Sequence, residues 1–184
     1  MYFKKMVGQK SYLSPIDIND AEKYTRWLND FDITRYLTLA PLVISLEGEK
    51  ESLVSLAKGH NYGIIALEND ELIGNCGIMD IDTINRTGEI GIFIGNAEYQ
   101  NKGYGSEAMT LLMDYAFNVL NLRNIMLRVY SFNARAIACY ESIGFKAIGR
   151  RRNAIERNQQ IFDILFMDMV PEDFNKKYGT NFSI

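Results

Sequence analysis

The spacing of apolar and polar positions changes several times along the chain, and each change predicts an element. Tyr12 to Ile16 reads as a first strand that ends at Pro15. Asn19 or Asp20 can cap a helix running to about Asn29, in which Ala21, Tyr24, Trp27 and Leu28 recur at helical spacing. Asp30 to Tyr36 reads as a loop or a short helical turn. Ser45, with Gly48 and Glu49 behind it, opens a second helix over 47–58. Leu53, Leu56 and Ala57 share one face of it, and Glu47, Glu49 and Glu51 suit its N-terminal half.

The period then drops to two. Gly63 to Leu67 and Leu72 to Met79 are strands around Glu68-Asn69-Asp70-Glu71, which makes a hairpin. A polar connection over 80–87 leads to a strand over 88–94. That strand puts Ile90, Ile92 and Ile94 on one face and Glu89, Gly91 and Phe93 on the other. The clearest helix runs from Gly105 to about Leu120, with Ala108, Leu112, Tyr115, Ala116 and Val119 as its buried stripe. Asn124 to Tyr130 alternates again. Asn133 caps a short helix over 134–143, and Gly144 ends it. Two more strands, over 145–152 and 159–170, flank the turn Glu156-Arg157-Asn158, and Pro171 starts a closing helix. The sum is a mixed α/β fold in a single domain over 1–184, with a sheet of about seven strands and helices on both faces.

Composition narrows the function classes. Hydrophobic residues make up 47% of the chain and charged residues 23%, an ordinary globular balance. The net charge is −3, and Arg150-Arg151-Arg152 is the one basic run, in a strand-like segment where it reads as a solvated edge. Nucleic acid is therefore not an expected partner. Cys76 and Cys139 each sit in an apolar setting and suit core packing in a reducing compartment. His60 lies in a turn-like stretch, and one His with two scattered Cys makes no transition-metal site, so no metal is expected. No leader or membrane span is read, and the expected location is cytoplasmic.

The chemistry concentrates at Gln100-Asn101-Lys102-Gly103-Tyr104-Gly105-Ser106, between a strand and a helix. Two close glycines opening a helix aim backbone N–H groups at one spot, which also receives the positive end of the helix dipole. A phosphate or pyrophosphate fits there. The spacing does not match a P-loop, since no lysine separates Gly105 from Ser106. Gly103 to Ala108 reads G-x-G-x-x-A, but the strand over 124–130 ends in Arg128, Tyr130 and Ser131 with no carboxylate for a ribose. A dinucleotide reading is disfavoured.

Gln100-x-x-Gly103-x-Gly105 resembles the acetyl-CoA pyrophosphate loop of the GCN5-related N-acetyltransferases. Asn133-x-x-Ala136-x-x-x-Tyr140-x-x-x-Gly144-Phe145 resembles that family's second cofactor motif, and one helix and one strand separate the two, as in the family. Leu13-Ser14-Pro15, Trp27-Leu28-Asn29-Asp30 and Gln159-Gln160-Ile161-Phe162-Asp163 resemble segments of the ribosomal-protein-alanine and polyamine acetyltransferase branch. Ser14, Gln159 and Phe162 replace that branch's usual Arg, Gly and Tyr.

The resemblance implies a mostly antiparallel, twisted sheet and an acetyl-CoA-dependent N-acetyltransferase that works by direct attack in a ternary complex. It implies cofactor contacts from Gln100 through Ser106, from Asn133 and Ala136, and from Phe93 and Ile94 along the strand, where a bulge at Gly95 would suit the pantetheine. Tyr140 is the implied acid for the departing thiolate, with a core tyrosine as the alternative. Glu89 is the candidate base, against a merely solvated or ion-paired carboxylate. Trp27, Asp32 and Tyr36 are substrate candidates, although aromatic residues at such spacings more often fill core and Asp32 more often is an ordinary loop acid. The acceptor is a primary amine, on a small molecule or a protein N-terminus, and a homodimer is allowed. A non-catalytic acyl-CoA sensor is the alternative function.

Overall fold

The structure, a computed structural model, describes residues 1–179. Among the described residues eight strands and six α-helices follow one another. They are β1 (Met6–Val7), β2 (Ser11–Pro15), α1 (Ala21–Leu28), α2 (Phe31–Thr34), α3 (Leu46–Leu56), β3 (His60–Ala66), β4 (Glu71–Asp82) and β5 (Thr87–Ile94). Then come α4 (Tyr104–Asn118), β6 (Asn124–Tyr130), α5 (Ala134–Ile143), β7 (Lys146–Arg157), β8 (Gln160–Met169) and α6 (Pro171–Tyr178). The strands hydrogen-bond in the order β1-β2-β3-β4-β5-β6-β8-β7. The eighth strand, β1, is only two residues long, too short to show any alternation, so the pattern suggested seven.

The chain forms two compact units. The first holds Met1–Met79 and Gly91–Leu112. Its strands β1 to β4 are successive antiparallel neighbours. Tyr12, Ile16, Ala21, Tyr24, Trp27, Leu53, Ile65 and Leu72 form one buried cluster, with Phe93 packed against it. Tyr24, Trp27 and Phe93 meet edge to face at centroid distances of 5.5 to 6.2 Å. Trp27 thus takes the core reading. A Cβ on Gly95 would fall inside the Trp27 indole, so the glycine is there for close approach.

The second unit holds Asp80–Ile90 and the residues from Met113 onward. Here β5 pairs with β6 in parallel, from Thr87–Asn124 to Glu89–Met126. β6 pairs antiparallel with β8, and β8 with β7. The edge strand β7 is exposed through Arg150, Arg151 and Arg152, as the solvated-edge reading expected. The β7–β8 turn is Asn158-Gln159, which shares only Asn158 with the turn over 156–158 that the sequence suggested. Both residues have positive φ, 50° and 62°, as a two-residue hairpin turn of the primed type requires.

Several local expectations are corrected. The capping side chain before α1 is Asp17, which accepts from the Asn19 N–H and opens a 3-10 turn; Asp20 makes no cap bond. His60 opens β3 instead of lying in a turn. Val119 is half-buried, and Met109, Met113 and Phe117 join the buried face of α4. Ala57 is exposed. Ser45 does cap α3, its hydroxyl accepting from Gly48 N–H at 3.0 Å. Glu49, read as a surface complement to the helix dipole, is buried instead.

That burial makes a prediction. Desolvation raises the Glu49 carboxyl above its usual range, so the folded chain holds this proton to higher pH than the unfolded chain. Folding then loses stability as pH climbs from the ordinary glutamate value through the raised one. Glu49→Gln is expected to raise the melting temperature at pH 7 and to do so less at pH 4. Thermal melts at the two pH values check this, and an equal or lower Tm at pH 7 would contradict it.

Candidate active site

In the first unit the site is built on the passage from β5 to α4. The N–H groups of Gly95 and Asn96 both donate to the carbonyl of Ile73, at 2.9 and 3.0 Å. Two successive N–H groups on one acceptor mark a bulge, where the Gly95 reading placed it. A Cβ on Gly74 would collide with the Phe93 carbonyl, so β4 and β5 run very close just before the bulge. Asn96 then caps a 3-10 turn over Ala97–Tyr99. The Gln100 side chain turns back and donates to the Ile94 carbonyl at 3.0 Å, tying the loop to the strand end.

A carboxylate that sequence reasoning missed holds this turn. Glu71, at the start of β4, accepts from Lys23 (3.1 Å), Asn96 (3.0 Å) and Tyr99 (3.0 Å). Burial opposes the Glu71 charge, but the bonds from Lys23, Tyr99 and Asn96 together outweigh it and hold the carboxyl below its usual range. No local pattern marks Glu71, because its partners come from α1 and from the segment after β5.

The loop itself is left-handed at Asn101 (φ 60°) and at Gly103 (φ 88°), with Lys102 between them. Left-handed residues in such a run turn successive N–H groups into a concavity that suits an anion. Gly103 is required for its dihedral. Gly105 is different: a Cβ there would meet only Ile94 and Ile92 side-chain carbons, at 3.7 and 3.9 Å, which is ordinary contact. α4 begins at Tyr104, and Ser106 Oγ and Glu107 N–H both donate to the Gly103 carbonyl, at 2.9 and 3.0 Å. The first N–H groups of the helix have no acceptor within it, and its positive end faces the same way. Phe93, Ile94 and Gln100 through Ser106 are therefore gathered in one place. An open recess of about 730 Å³ lies beside the loop, lined by Gln9, Lys10, Leu67, Glu68, Lys102 and Tyr104. Asp32 is exposed on α2 and Tyr36 half-buried beyond it, with the Arg35 guanidinium 5.2 Å above the Tyr36 ring.

In the second unit Asn133 caps α5, accepting from the Ala136 N–H at 3.2 Å. Tyr140 is half-buried on the same helix, its ring edge-on to Phe145 at 6.0 Å. Burial, reinforced by Cys139 and opposed by Arg135, pushes its hydroxyl up to about 12. A phenol so placed keeps its proton at neutral pH and has it available to donate. Glu89 is ion-paired: Arg128 Nε donates to its Oε1 at 2.6 Å, with side-chain exposures of 52% for Arg128 and 12% for Glu89. Among the described residues no group of His, Cys, Asp and Glu is placed to hold a metal ion, and no helix is long and apolar enough to cross a membrane.

Comparison with known proteins settles the family. A family described as the acetyltransferase (GNAT) domain matches residues 11–146, most of the chain. The chain belongs to the GNAT acetyltransferases. An uncharacterized N-acetyltransferase of Bacillus licheniformis is 27% identical over 176 residues, covering 88% of this chain and 93% of that one. Spermidine N(1)-acetyltransferase of Escherichia coli is 26% identical over 172 residues, covering 94% and 76%. A crystal structure of spermidine N-acetyltransferase from Vibrio cholerae, in complex with CoA and spermine, superposes with a TM-score of 0.82 at 24% identity, covering 91% and 99%. The GNAT fold is thus established, and with it an acetyl-CoA-dependent acetyltransferase.

Because Gly105 has room for a side chain, its substitution separates binding from folding. Gly105→Ala is expected to leave the melting temperature unchanged or slightly raised. Gly105→Val is expected to weaken CoA binding by tenfold or more, roughly 1.4 kcal/mol, with the fold retained. Calorimetric titration beside circular dichroism checks both, and unchanged CoA affinity in a folded Gly105→Val variant would remove this loop from the site.

Proposed function

We propose that this GNAT enzyme moves an acetyl group from acetyl-CoA to a primary amine by direct attack in a ternary complex, with the whole chain serving as one functional domain. The left-handed loop at Asn101 and Gly103, opening α4 directly after the β5 bulge, carries the reading. The favoured acceptor is a small polyamine. What supports that choice is the set of relatives named as spermidine acetyltransferases.

Acetyl-CoA supplies an acetyl group activated as a thioester. The chain's own residues supply four things. The N–H groups from Lys102 to Ser106 hold the pyrophosphate at the dipole end of α4. Backbone N–H groups at Phe93 and Ile94 polarise the thioester carbonyl, and Asn133 and Ala136 add a second contact. Glu89, fixed by Arg128, takes the proton of the amine directly or through water, which matters because a free alkyl ammonium costs about 4.6 kcal/mol to neutralise at pH 7. As the N–C bond forms and the C–S bond breaks, the Tyr140 hydroxyl gives its proton to the sulfur.

The test is thiol release from acetyl-CoA with a panel of polyamines, amino sugars and peptide N-termini, beside a thermal-shift titration. CoA is expected to raise the Tm by mass action and NAD or ATP to do so far less. Equal stabilisation by NAD, or no thiol release with any amine, would overturn the proposal; turnover with peptides alone would replace the acceptor.

Tyr140→Phe removes only the hydroxyl. Turnover at saturating acetyl-CoA is expected to fall roughly 10²-fold while CoA affinity holds. An acid whose pKa is about 12 loses its proton only as pH rises toward that value, so Tyr140 should add no descending limb to the wild-type pH–rate profile below pH 10. Near wild-type turnover in Tyr140→Phe would end the assignment.

A further inference from the structure

The turn between β1 and β2 is wrapped around the first turn of α4. The N–H groups of Gln9, Lys10 and Ser11 all donate to the Glu107 carboxylate, at 2.8, 3.1 and 2.8 Å, and the Ser11 hydroxyl adds a bond of 2.7 Å. Gly8 belongs to the arrangement, since a Cβ there would lie 2.6 Å from the Glu107 carboxyl carbon. Three successive N–H groups on one anion form a closed nest, filled by the chain's own carboxylate. Charge-assisted bonds of this kind are the strong ones. The turn is therefore a fixed body, although Gln9 and Lys10 are exposed.

From that body Lys10 reaches the phosphate loop. Its ammonium donates to the Lys102 carbonyl at 2.9 Å. It lies 3.5 Å from where a Cβ on Gly103 would be, and 6.0 Å from the centre of the Tyr104 ring. The peptide between Lys102 and Gly103 is planar and trans, so its C=O and N–H point to opposite sides. Holding the carbonyl toward Lys10 turns the Gly103 N–H away from Lys10.

We propose that Lys10 is a positioning residue of the cofactor site: anchored by the Glu107 nest, it pins the Lys102 carbonyl and thereby presents the Gly103 N–H to the pyrophosphate of acetyl-CoA. This rests on the acetyl-CoA reading of the loop. Lys10 acts through the backbone and touches no part of the cofactor. A carbonyl freed of Lys10 lets the peptide plane rotate, and an anion then meets a carbonyl oxygen in place of an N–H. Binding weakens without loss of fold.

The experiment is calorimetric titration of Lys10→Met, Lys10→Arg and wild type with CoA and with dephospho-CoA, with melting curves of the ligand-free proteins. Wild-type binding of CoA tests the underlying reading, and its failure would be distinct from failure of the inference. The CoA Kd of Lys10→Met is expected to rise roughly tenfold, equally for both ligands, with the ligand-free Tm within about 2 °C of wild type. Lys10→Arg, which keeps a cationic donor, is expected to restore most of the affinity. A loss confined to CoA would mean that Lys10 contacts the 3′-phosphate directly and would overturn the positioning role. Unchanged affinity in Lys10→Met, or failure of the arginine to rescue, would overturn it as well.

Discussion

Every feature of the loop over 95–106 depends on how the chain leaves β5 and enters α4. A strand and a helix demand different backbone dihedrals, and the groups between them must be paired or aimed at a ligand. Here the passage is fixed at both ends by backbone acceptors. The Ile73 carbonyl takes two N–H groups at the bulge, and the Gly103 carbonyl takes the Ser106 hydroxyl and the Glu107 N–H. Between these points Gln100 ties back to Ile94. With its ends fixed in this way, the loop can keep left-handed residues at Asn101 and Gly103, which an unsupported segment would not keep in one arrangement.

Carboxylates do much of the fixing, and they do it away from the anion site. Glu71 gathers Lys23, Asn96 and Tyr99 on one side of the passage. Glu107 is drawn into the β1–β2 turn on the other. A glutamate in the first turn of a helix would otherwise compete with a bound phosphate for the same positive end. Committing Glu107 to three N–H groups of another segment removes that competition and stiffens the loop. In the second unit Arg128 pairs with the Glu89 carboxylate, and burial pushes the Tyr140 hydroxyl up to about 12.

Much of this was legible in the chain itself. The periods of two and 3.6 located β3 to β6 and α4 within a few residues, because one buried face imposes its spacing on the sequence. Asn133 and Gly144 bounded α5 through local bonds that need nothing distant. Gly103 marked the tight loop before α4, because few residues tolerate its left-handed dihedral. The pair of motifs around Gln100 and Tyr140 pointed to the family that residues 11–146 match.

What the sequence could not carry was any relation between distant segments whose members have no periodic or local signature. β1 is two residues long and exists because β2 pairs with it. Glu49 looks like a helix-dipole acid and is buried because of where α3 packs. Gly95 reads as a bulge glycine, yet its lack of a side chain also admits the Trp27 indole. Lys10, Glu71 and Glu107 look like ordinary surface charges, and only the meeting of segments 25 to 98 residues apart along the chain makes them supports of the loop. The sequence by itself determined the elements, the tight loop before α4 and the family, since local dihedral preference and periodic burial are written residue by residue. Tertiary structure alone decided which charges hold that loop in shape, since a hydrogen bond between remote segments leaves no trace in the spacing of either.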